Sequence, residues 1–169
     1  QRCTSASNLA TCTTISSATA STYVLTAADV STFIRSVVVS TNGTGTATGT
    51  SAVTTVIAPI APSAPTSLIA TAGDGSASIA FTAGSSGGGT ITNYKYSTDG
   101  TNYIALNPAD GTSPVTIPGL TNATAYTIYL KAVNSAGDSV ASTSVAVTPT
   151  DQTPPTLTSS ALAADGITM

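Results

Sequence analysis

The sequence predicts an all-β protein built from tandem two-sheet sandwiches. Three observations lead to this prediction. β-Branched Thr and Val are abundant, whereas charged residues make up 7% of the chain against roughly 25% in an average soluble protein. Turn signals recur about every 8–12 residues between short β-rich runs. Two proline-rich stretches then divide these runs into groups of domain size.

The scarcity of charge argues against several classes of partner. The four basic residues are spread along the chain, so there is no cluster of cations to bind phosphate groups. With a formal net charge of −3, the protein is expected to bind neither nucleic acid nor an anionic membrane surface. No apolar run approaches the ~20 residues needed to cross a bilayer, so membrane insertion is not expected either.

The side-chain inventory argues against an enzyme. The chain has no histidine, and its seven acidic residues are all aspartate. Acid–base catalysis needs a group that titrates near the working pH, and a serine nucleophile needs a base, so no catalytic residue is predicted. Calcium is the alternative role for the aspartates, but none follow EF-hand spacing, so no metal or other cofactor is assigned. Four aspartates precede glycine and are expected to form tight hairpins: Asp74, Asp99, Asp110 and Asp165.

The proline-rich stretches, residues 57–65 and 148–156, are expected to be short, semi-rigid linkers because proline fixes φ. The Ser-Ser-Gly-Gly-Gly run at 85–89 is expected to be a flexible loop. Both ends of the chain are expected to fall within domains. The resulting division is a domain lacking its first strands at 1–58, a linker at 59–64, a complete domain at 65–149, and a linker with the opening strand or strands of a third sandwich at 150–169.

The complete domain contains about seven runs of β-type sequence, the number expected for a small sandwich. Ile79 and Phe81 share one face of their run, and Tyr94 and Tyr96 share one face of the next, as the two-residue period of a strand requires. The runs cover residues 68–73, 76–83, 91–98, 102–106, 114–120, 125–135 and 139–148.

Some of these residues carry a more specific resemblance. They are the opening PTSL, the hairpin sequence YKYSTDGTNY and, above all, LTNATAY followed by TIYLKAVNSAG. Residues 65–149 thereby resemble a bacterial fibronectin type III domain. The resemblance implies a tyrosine corner, in which Leu120 is buried and the hydroxyl of Tyr126 binds a backbone group. It also implies that Phe81 stands where the family usually has tryptophan.

The first region resembles an immunoglobulin-like repeat of secreted bacterial proteins. The matching stretch is TYVLTAADVSTFIRSVVVSTNGTGTATGTSAV. Tyr23 and Leu25 are expected to alternate on one strand, with a turn at the following AADV. The resemblance also implies that Ser31 stands where such repeats often have glycine. The last hairpin is expected to join residues 33–41 and 44–56.

The two cysteines, Cys3 and Cys12, flank a polar loop. Two strands joined by that loop would bring the sulfur atoms close enough to bridge, so a disulfide is favoured over free thiols. Two cysteines without histidine cannot complete a tetrahedral metal shell. Because disulfides persist in oxidising compartments, the protein is expected to be extracellular, either at a cell surface or secreted.

Surface residues suggest two kinds of contact with sugars. Tyr103, beside the Asp99-Gly100 turn, is expected to be the most exposed tyrosine and the candidate ligand contact, although cross-strand packing is the commoner role of such tyrosines. Asn42-Gly-Thr and Asn122-Ala-Thr fit the N-glycosylation pattern, which also arises by chance in a threonine-rich chain.

Together these features favour a structural or adhesive extracellular repeat protein, forming a surface stalk, a filament or part of an adhesin. Its partners would be adjacent repeats or neighbouring copies of itself. The interrupted end domains are expected to reflect a sequence that is a window on a longer repetitive protein; the alternative is that a domain lacking strands accepts one from the next copy, which would build a head-to-tail filament. A phage virion decoration or fibre protein is a variant of this prediction. The alternative is a carbohydrate-binding or spacer module of a secreted polysaccharide-degrading enzyme, with surface glycans as partners.

Overall fold

A computed structural model describes residues 1–16 and 18–156 of the chain. Strands dominate this part, and no helix in it is long and apolar enough to cross a membrane. The all-β prediction is confirmed. The strands are β1 Arg2–Cys3, β2 Cys12–Thr13, β3 Phe33–Ile34, β4 Val37–Asn42, β5 Gly45–Thr50, β6 Thr66–Gly73, β7 Ser76–Thr82, β8 Asn93–Ser97, β9 Ile104–Ala105, β10 Val115–Pro118, β11 Tyr126–Asn134, β12 Gly137–Asp138 and β13 Val145–Val147, with 3-10 turns at Leu9–Thr11 and Ala27–Asp29.

Strands β6–β13 form a two-sheet sandwich. One sheet has the order β10-β7-β6, and the other has the order β12-β11-β8-β9, with β13 also pairing with β11. All of these pairs are antiparallel. The alternation read from the sequence produces this arrangement, since successive side chains of a strand point to opposite faces. In β11, for example, Ile128, Leu130 and Ala132 are buried, whereas Tyr129 and Lys131 between them lie on the outer face.

The two sheets enclose one apolar core. Phe81 packs edge-on against Tyr94, with the ring centroids 4.6 Å apart. Burying a side chain the size of Leu or Ile stabilises a fold by about 1.5–3 kcal/mol, so the core residues account for most of the sandwich's stability. They are Ala77, Ile79, Tyr94, Leu106, Val115, Ile117, Leu120, Ile128, Leu130, Ala132 and Val147.

The predicted last strand, 139–148, is regular only at β13. Before β13, the hydroxyl of Ser142 accepts a hydrogen bond from the Leu130 N–H, and the hydroxyl of Ser139 accepts one from the Ala132 N–H, both at 2.9 Å. Serine side chains therefore take positions on β11 that main-chain carbonyls would otherwise fill. The strand still follows β11, but in an interrupted form.

The Asp-Gly pairs do not all form hairpins. Asp74-Gly75 is a tight turn between β6 and β7, since Gly73 pairs with Ser76. Asp110-Gly111 lies in the long loop between β9 and β10, so the hairpin predicted there was wrong. The Asp110 carboxylate instead accepts hydrogen bonds from Thr112, which make a local turn without paired strands on either side. The Asp165-Gly166 turn lies outside the described residues.

The N-terminal region, residues 1–58, has little regular structure. A three-stranded sheet of two-residue strands has the order β2-β1-β3, and β4 pairs with β5 in a separate hairpin. Cys3 and Asp29 are its buried residues within 1–16 and 18–58. The immunoglobulin-like assignment of this region stays a prediction. The third sandwich predicted from residue 150 lies largely outside the described residues, and residues 150–156 contain no strand.

Two details of the N-terminal region differ from expectation. The strand predicted at Tyr23 and Leu25 is absent, because this segment pairs with no other strand. The predicted hairpin is regular only over β4 and β5. Beyond these strands, the Ser51 N–H donates to the Ser36 carbonyl oxygen and the Thr54 N–H donates to that of Ile34, at 3.1 and 2.8 Å, so the pairing continues in an interrupted form. Ser31, by contrast, has a φ of 63°, in the left-handed region that favours glycine, as its position in the resemblance implies.

Candidate functional site at the interdomain joint

The linker between the N-terminal region and the sandwich is bound to a loop of the sandwich. This loop is the glycine-rich segment 84–89, which we call the glycine loop. The Ile60 N–H donates to the Gly87 carbonyl oxygen at 3.0 Å, and the Ser63 N–H donates to the Ser85 carbonyl oxygen at 2.8 Å. The linker (59–64), the glycine loop and Asn134 together are called the joint below.

Asn134, the last residue of β11, binds the linker and the glycine loop through its side-chain nitrogen and the turn that follows β11 through its side-chain oxygen. Its Nδ2 donates to the carbonyl oxygens of Ile60 and Ser86, both at 2.8 Å. Its Oδ1 accepts from the backbone N–H groups of Ala136 at 2.8 Å and Gly137 at 3.2 Å. Asn134 is 5% exposed, and removing its amide would take away the donor to both carbonyl oxygens, at a cost of about 0.5–1.5 kcal/mol for each hydrogen bond.

Glycine is required in this loop because the linker lies directly on its backbone. A Cβ atom at Gly87 would lie 2.2 Å from the Ile60 carbonyl oxygen, and one at Gly84 would lie 2.5 Å from the Ser63 carbonyl oxygen. Gly87 also has a φ of 65°. Any side chain at Gly87 would push the linker away and strain the backbone.

The N-terminal region contacts the same loop. A Cβ atom at Gly88 would lie 2.2 Å from Cγ2 of Val30, so the valine side chain rests on the glycine. The Ser31 N–H donates to the Ile57 carbonyl oxygen at 2.8 Å, and the Ile57 N–H donates to the Thr32 carbonyl oxygen at 2.9 Å. Ile57, two residues before the linker, is thus tied to the segment that carries Val30. Contacts therefore continue from the N-terminal region through the linker into the sandwich.

A buried carboxylate holds that segment in place. Asp29, next to Val30, is 0% exposed. Its Oδ1 accepts from Nε and Nη2 of Arg2 at 2.8 and 2.6 Å. Its Oδ2 accepts from the Tyr23 hydroxyl at 2.9 Å, the Thr26 N–H at 2.7 Å and the Thr26 hydroxyl at 2.9 Å. Five donors thus converge on one carboxylate.

The surroundings of Asp29 favour its charged form. Burial by itself raises the pKa of Asp29, but the hydrogen bonds from the Thr26 N–H, Arg2, Tyr23 and the Thr26 hydroxyl outweigh it and lower the pKa from 3.8 to about 2. The pKa of Arg2 is raised, chiefly by its hydrogen bond to Asp29. The ion pair is therefore formed at neutral pH.

The disulfide acts beside this ion pair. Cys3 and Cys12 are joined, as predicted, and each is the β-bridge partner of the other in β1 and β2. Arg2 is the neighbour of Cys3 on β1. The disulfide therefore also fixes the strand that carries Arg2, the ion-pair partner of Asp29. Neither Arg2 nor Asp29 was identified from the sequence. The available signal was a cation and an anion in a chain that has few of either.

At the opposite edge of the sandwich, Tyr126 occupies the position expected of a tyrosine corner. Its hydroxyl accepts a hydrogen bond from the Thr121 N–H at 3.0 Å. This bond lowers the pKa of Tyr126. The neighbouring Leu120 is buried, and its N–H donates to the Gly75 carbonyl oxygen at 2.9 Å. The ring and its hydrogen bond fix the connection between β10 and β11.

A family comparison matches this sandwich. The fibronectin type III domain profile matches residues 63–148. The chain belongs to the fibronectin type III family. No curated protein sequence matches the chain.

Three solved structures are similar to part of this chain. Titin domains A168–A170 are 21% identical over 68% of this chain and 40% of theirs, with a TM-score of 0.49. A structure described as a myokine is 17% identical over 54% of this chain and 100% of its own, with a TM-score of 0.41. Titin kinase with its flanking domains is 21% identical over 53% of this chain and 17% of its own, with a TM-score of 0.44.

Tyr103 lies on the outer face of the fibronectin type III domain. It was predicted to be exposed but is half-buried, because Lys131 extends over its ring with Nζ 4.2 Å from the ring centroid. Lys131 lies opposite Lys95 on the neighbouring strand β8. Burial raises the pKa of Tyr103, and the neighbouring Tyr129 and Asp99 add to this effect. One ring face is therefore unavailable to a sugar.

The carboxylates of Asp99 and Asp110 are bound by residues of their own turns. Asp99 accepts hydrogen bonds from the Asn102 side chain at 2.7 Å and from the backbone N–H groups of Asn102 and Thr101 at 2.8 Å. These bonds lower the pKa of Asp99. Among the described residues, no three His, Cys, Asp or Glu side chains lie close enough together to hold a metal ion.

Proposed function

We propose that the chain is a structural repeat module of an extracellular protein, in which the fibronectin type III domain and its neighbours form a stalk, filament or adhesin. The observation that supports it best is the joint. Backbone hydrogen bonds, the Asn134 amide and the contact of Val30 with Gly88 hold the linker against the sandwich. A linker bound in this way transmits orientation from one domain to the next, which a stalk requires and a freely moving module does not.

The extracellular location rests on the disulfide. The Cys3–Cys12 bridge is stable in oxidising compartments, and it supports the part of the chain that has the fewest buried apolar side chains. The proposed role involves no catalysis. Its partners are adjacent repeats or further copies of the chain.

The head-to-tail form of the proposal uses the β4–β5 hairpin. The two strands pair with each other, and within residues 1–16 and 18–156 neither has a partner on its other edge. Val38 and Val39 are 65% and 60% exposed. An unpaired edge of this length accepts an added strand readily, and a neighbouring copy would supply one.

Two measurements on the parent protein test the proposal. Antibodies against this chain are expected to label intact source cells, or virions if the protein is a phage decoration or fibre protein. Electron micrographs of the purified parent protein are expected to show thin rods whose length grows with the number of repeats. Labelling only after the cells are permeabilised would exclude the extracellular location, and compact particles would exclude the stalk.

The second candidate is a carbohydrate-binding or spacer module of a secreted polysaccharide-degrading enzyme. The ring of Tyr129 on the outer face of β11 supports it, since aromatic rings suit a sugar surface, whereas Lys131 covers one face of the Tyr103 ring. A glycan array distinguishes the two candidates. Binding that is lost in Tyr129→Ala and kept in Val140→Ala would favour this candidate, because Val140 is 76% exposed and lies in the interrupted last strand rather than among these rings. A catalytic domain elsewhere in the parent sequence would favour it as well.

A further inference from the structure

The chain contains two Asn-x-Thr sequences whose asparagine side chains differ in their hydrogen bonds. Asn42-Gly43-Thr44 lies at the tip of the β4–β5 hairpin, and Asn122-Ala123-Thr124 lies in the turn that leads to Tyr126. Both fit the acceptor pattern for an N-linked sugar. The structure distinguishes them by what each side-chain nitrogen contacts.

The Asn42 side chain is arranged so that its oxygen is bound and its nitrogen is free to react. Oδ1 accepts from the Thr44 hydroxyl at 2.7 Å, the Thr44 N–H at 2.9 Å and the Gly45 N–H at 3.1 Å. Nδ2 makes no hydrogen bond to the described residues. Asn42, Gly43 and Thr44 are all exposed, and a Cβ atom at Gly43 would have no atom within 4 Å. An enzyme can therefore approach the amide without moving the protein.

The Asn122 side chain is occupied at both atoms. Its Nδ2 donates to Oδ1 of Asp74 at 2.7 Å, and its Oδ1 accepts from the Gly75 N–H at 2.9 Å. These bonds join the β6–β7 turn to the turn before β11, and Asn122 is half-buried. Its nitrogen could react only after the bond to Asp74 was broken, and a bond to a carboxylate is of the stronger, charge-assisted kind.

We propose that Asn42 is a glycosylation site in the folded protein and that Asn122 is not. In the reaction, Nδ2 of Asn42 attacks the anomeric carbon of a sugar held as a nucleotide- or lipid-linked phosphate ester. The new bond joins the nitrogen to the anomeric carbon, and the bond from that carbon to the phosphate oxygen breaks. The phosphate group leaves with the bonding electrons, and the amide nitrogen gives one proton to a base.

The hydrogen bonds at Asn42 favour this reaction for a definite reason. An amide nitrogen is a weak nucleophile because its lone pair is delocalised onto the oxygen. Three donors on Oδ1 stabilise negative charge there, which makes the N–H easier to deprotonate as the new bond forms. The Thr44 hydroxyl provides the shortest of the three bonds.

A soluble N-glycosyltransferase with a nucleotide-activated hexose tests the proposal on the purified, oxidised full chain. Peptide mass analysis is expected to find one hexose at Asn42, with occupancy at least about tenfold above that at Asn122, since freeing Asn122 breaks a charge-assisted hydrogen bond. Thr44→Ser is expected to retain the modification, whereas Thr44→Val and Asn42→Gln are expected to lose it. After reduction and unfolding, Asn122 is expected to become modified as well.

Three outcomes would overturn the inference. They are an unmodified Asn42 in the folded chain while the same enzyme modifies the unfolded chain, equal occupancy of Asn42 and Asn122 in the folded chain, and undiminished modification in Thr44→Val. Because enzyme and donor are supplied, the result does not depend on the proposed extracellular role. A positive result would mean that a glycan projects from the hairpin tip.

Discussion

The two regions of this chain are built from the same small residues but are stabilised differently. The fibronectin type III domain buries Ile, Leu, Val and Tyr side chains between two sheets. The N-terminal region buries Cys3 and Asp29 and leaves Val38 and Val39 on the surface. Alternation alone is therefore not enough for a core. Where large apolar residues recur on one face, packing stabilises the fold, and where they do not, a disulfide and an ion pair take that role.

The largest expected loss of stability comes from a substitution in the core of the sandwich, which should leave the N-terminal region unaffected. Leu130→Ala removes a fully buried side chain and is expected to lower the free energy of unfolding of the sandwich by about 2–5 kcal/mol. Thermal or urea unfolding, with hydrogen exchange to locate the change, measures it. Val140→Ala, at a residue that is 76% exposed, is the control and should change stability by less than about 0.5 kcal/mol. Equal effects of the two variants would contradict the core described above.

Removing the disulfide should destabilise the N-terminal region and leave the sandwich unaffected. The double variant Cys3→Ala, Cys12→Ala is expected to destabilise the N-terminal region by about 2–4 kcal/mol, because the cross-link restricts its unfolded state. Hydrogen exchange should accelerate in residues 1–58 and stay unchanged in the β11 ladder. Wild-type protein treated with a reductant is the matched comparison. Faster exchange throughout β11 would show that the two regions unfold as one unit.

The ion pair of Asp29 should make the stability of the N-terminal region depend on pH. Asp29→Asn is expected to cost the N-terminal region about 1.5–3 kcal/mol at neutral pH, since it weakens hydrogen bonds to a charged group. In the wild type, the folded-state pKa of about 2 lies below the ordinary value of 3.8. The stabilisation is therefore complete above 3.8 and is lost as the pH falls through about 2. Between these two pH values, the free energy of unfolding should fall with decreasing pH in the wild type and change less in Asp29→Asn.

The smallest effect belongs to the tyrosine corner. Tyr126→Phe keeps the ring and removes the hydroxyl that accepts from the Thr121 N–H. The expected loss is about 0.5–1.5 kcal/mol, the net value of one hydrogen bond. Chemical denaturation of the full chain measures it, with Tyr129→Phe as a control on the outer face of the same strand. A Tyr126→Phe variant as stable as the wild type would contradict a stabilising role of the corner bond.

The sandwich was largely predictable because its signal is local. Periods of two residues, Asp74-Gly75 and the pattern ending in Tyr126 each depend on near neighbours in the sequence. The failures occurred where a local pattern had no partner across the fold. Tyr23 and Leu25 alternate but pair with nothing, and Asp110-Gly111 turns the chain without strands on both sides.

The joint could not have been predicted. Asn134, the glycine loop and the linker are far apart in sequence, and each reads locally as a turn, a flexible loop or a spacer. They form a joint only because Ile60 lies against Gly87 and Val30 lies against Gly88, and these contacts between distant residues are seen only in the folded chain. Likewise, the composition marks Asp29 as one of seven acids and gives no sign that five donors surround it.

The most direct test measures whether the two regions keep one orientation in solution. Residual dipolar couplings from weakly aligned full chain should fit a single alignment tensor for the N-terminal region and the sandwich. The double variant Gly87→Ala, Asn134→Ala should require two tensors while each region keeps its own fold. Two different tensors in the wild type would contradict the fixed joint, and with it the structural role that we propose.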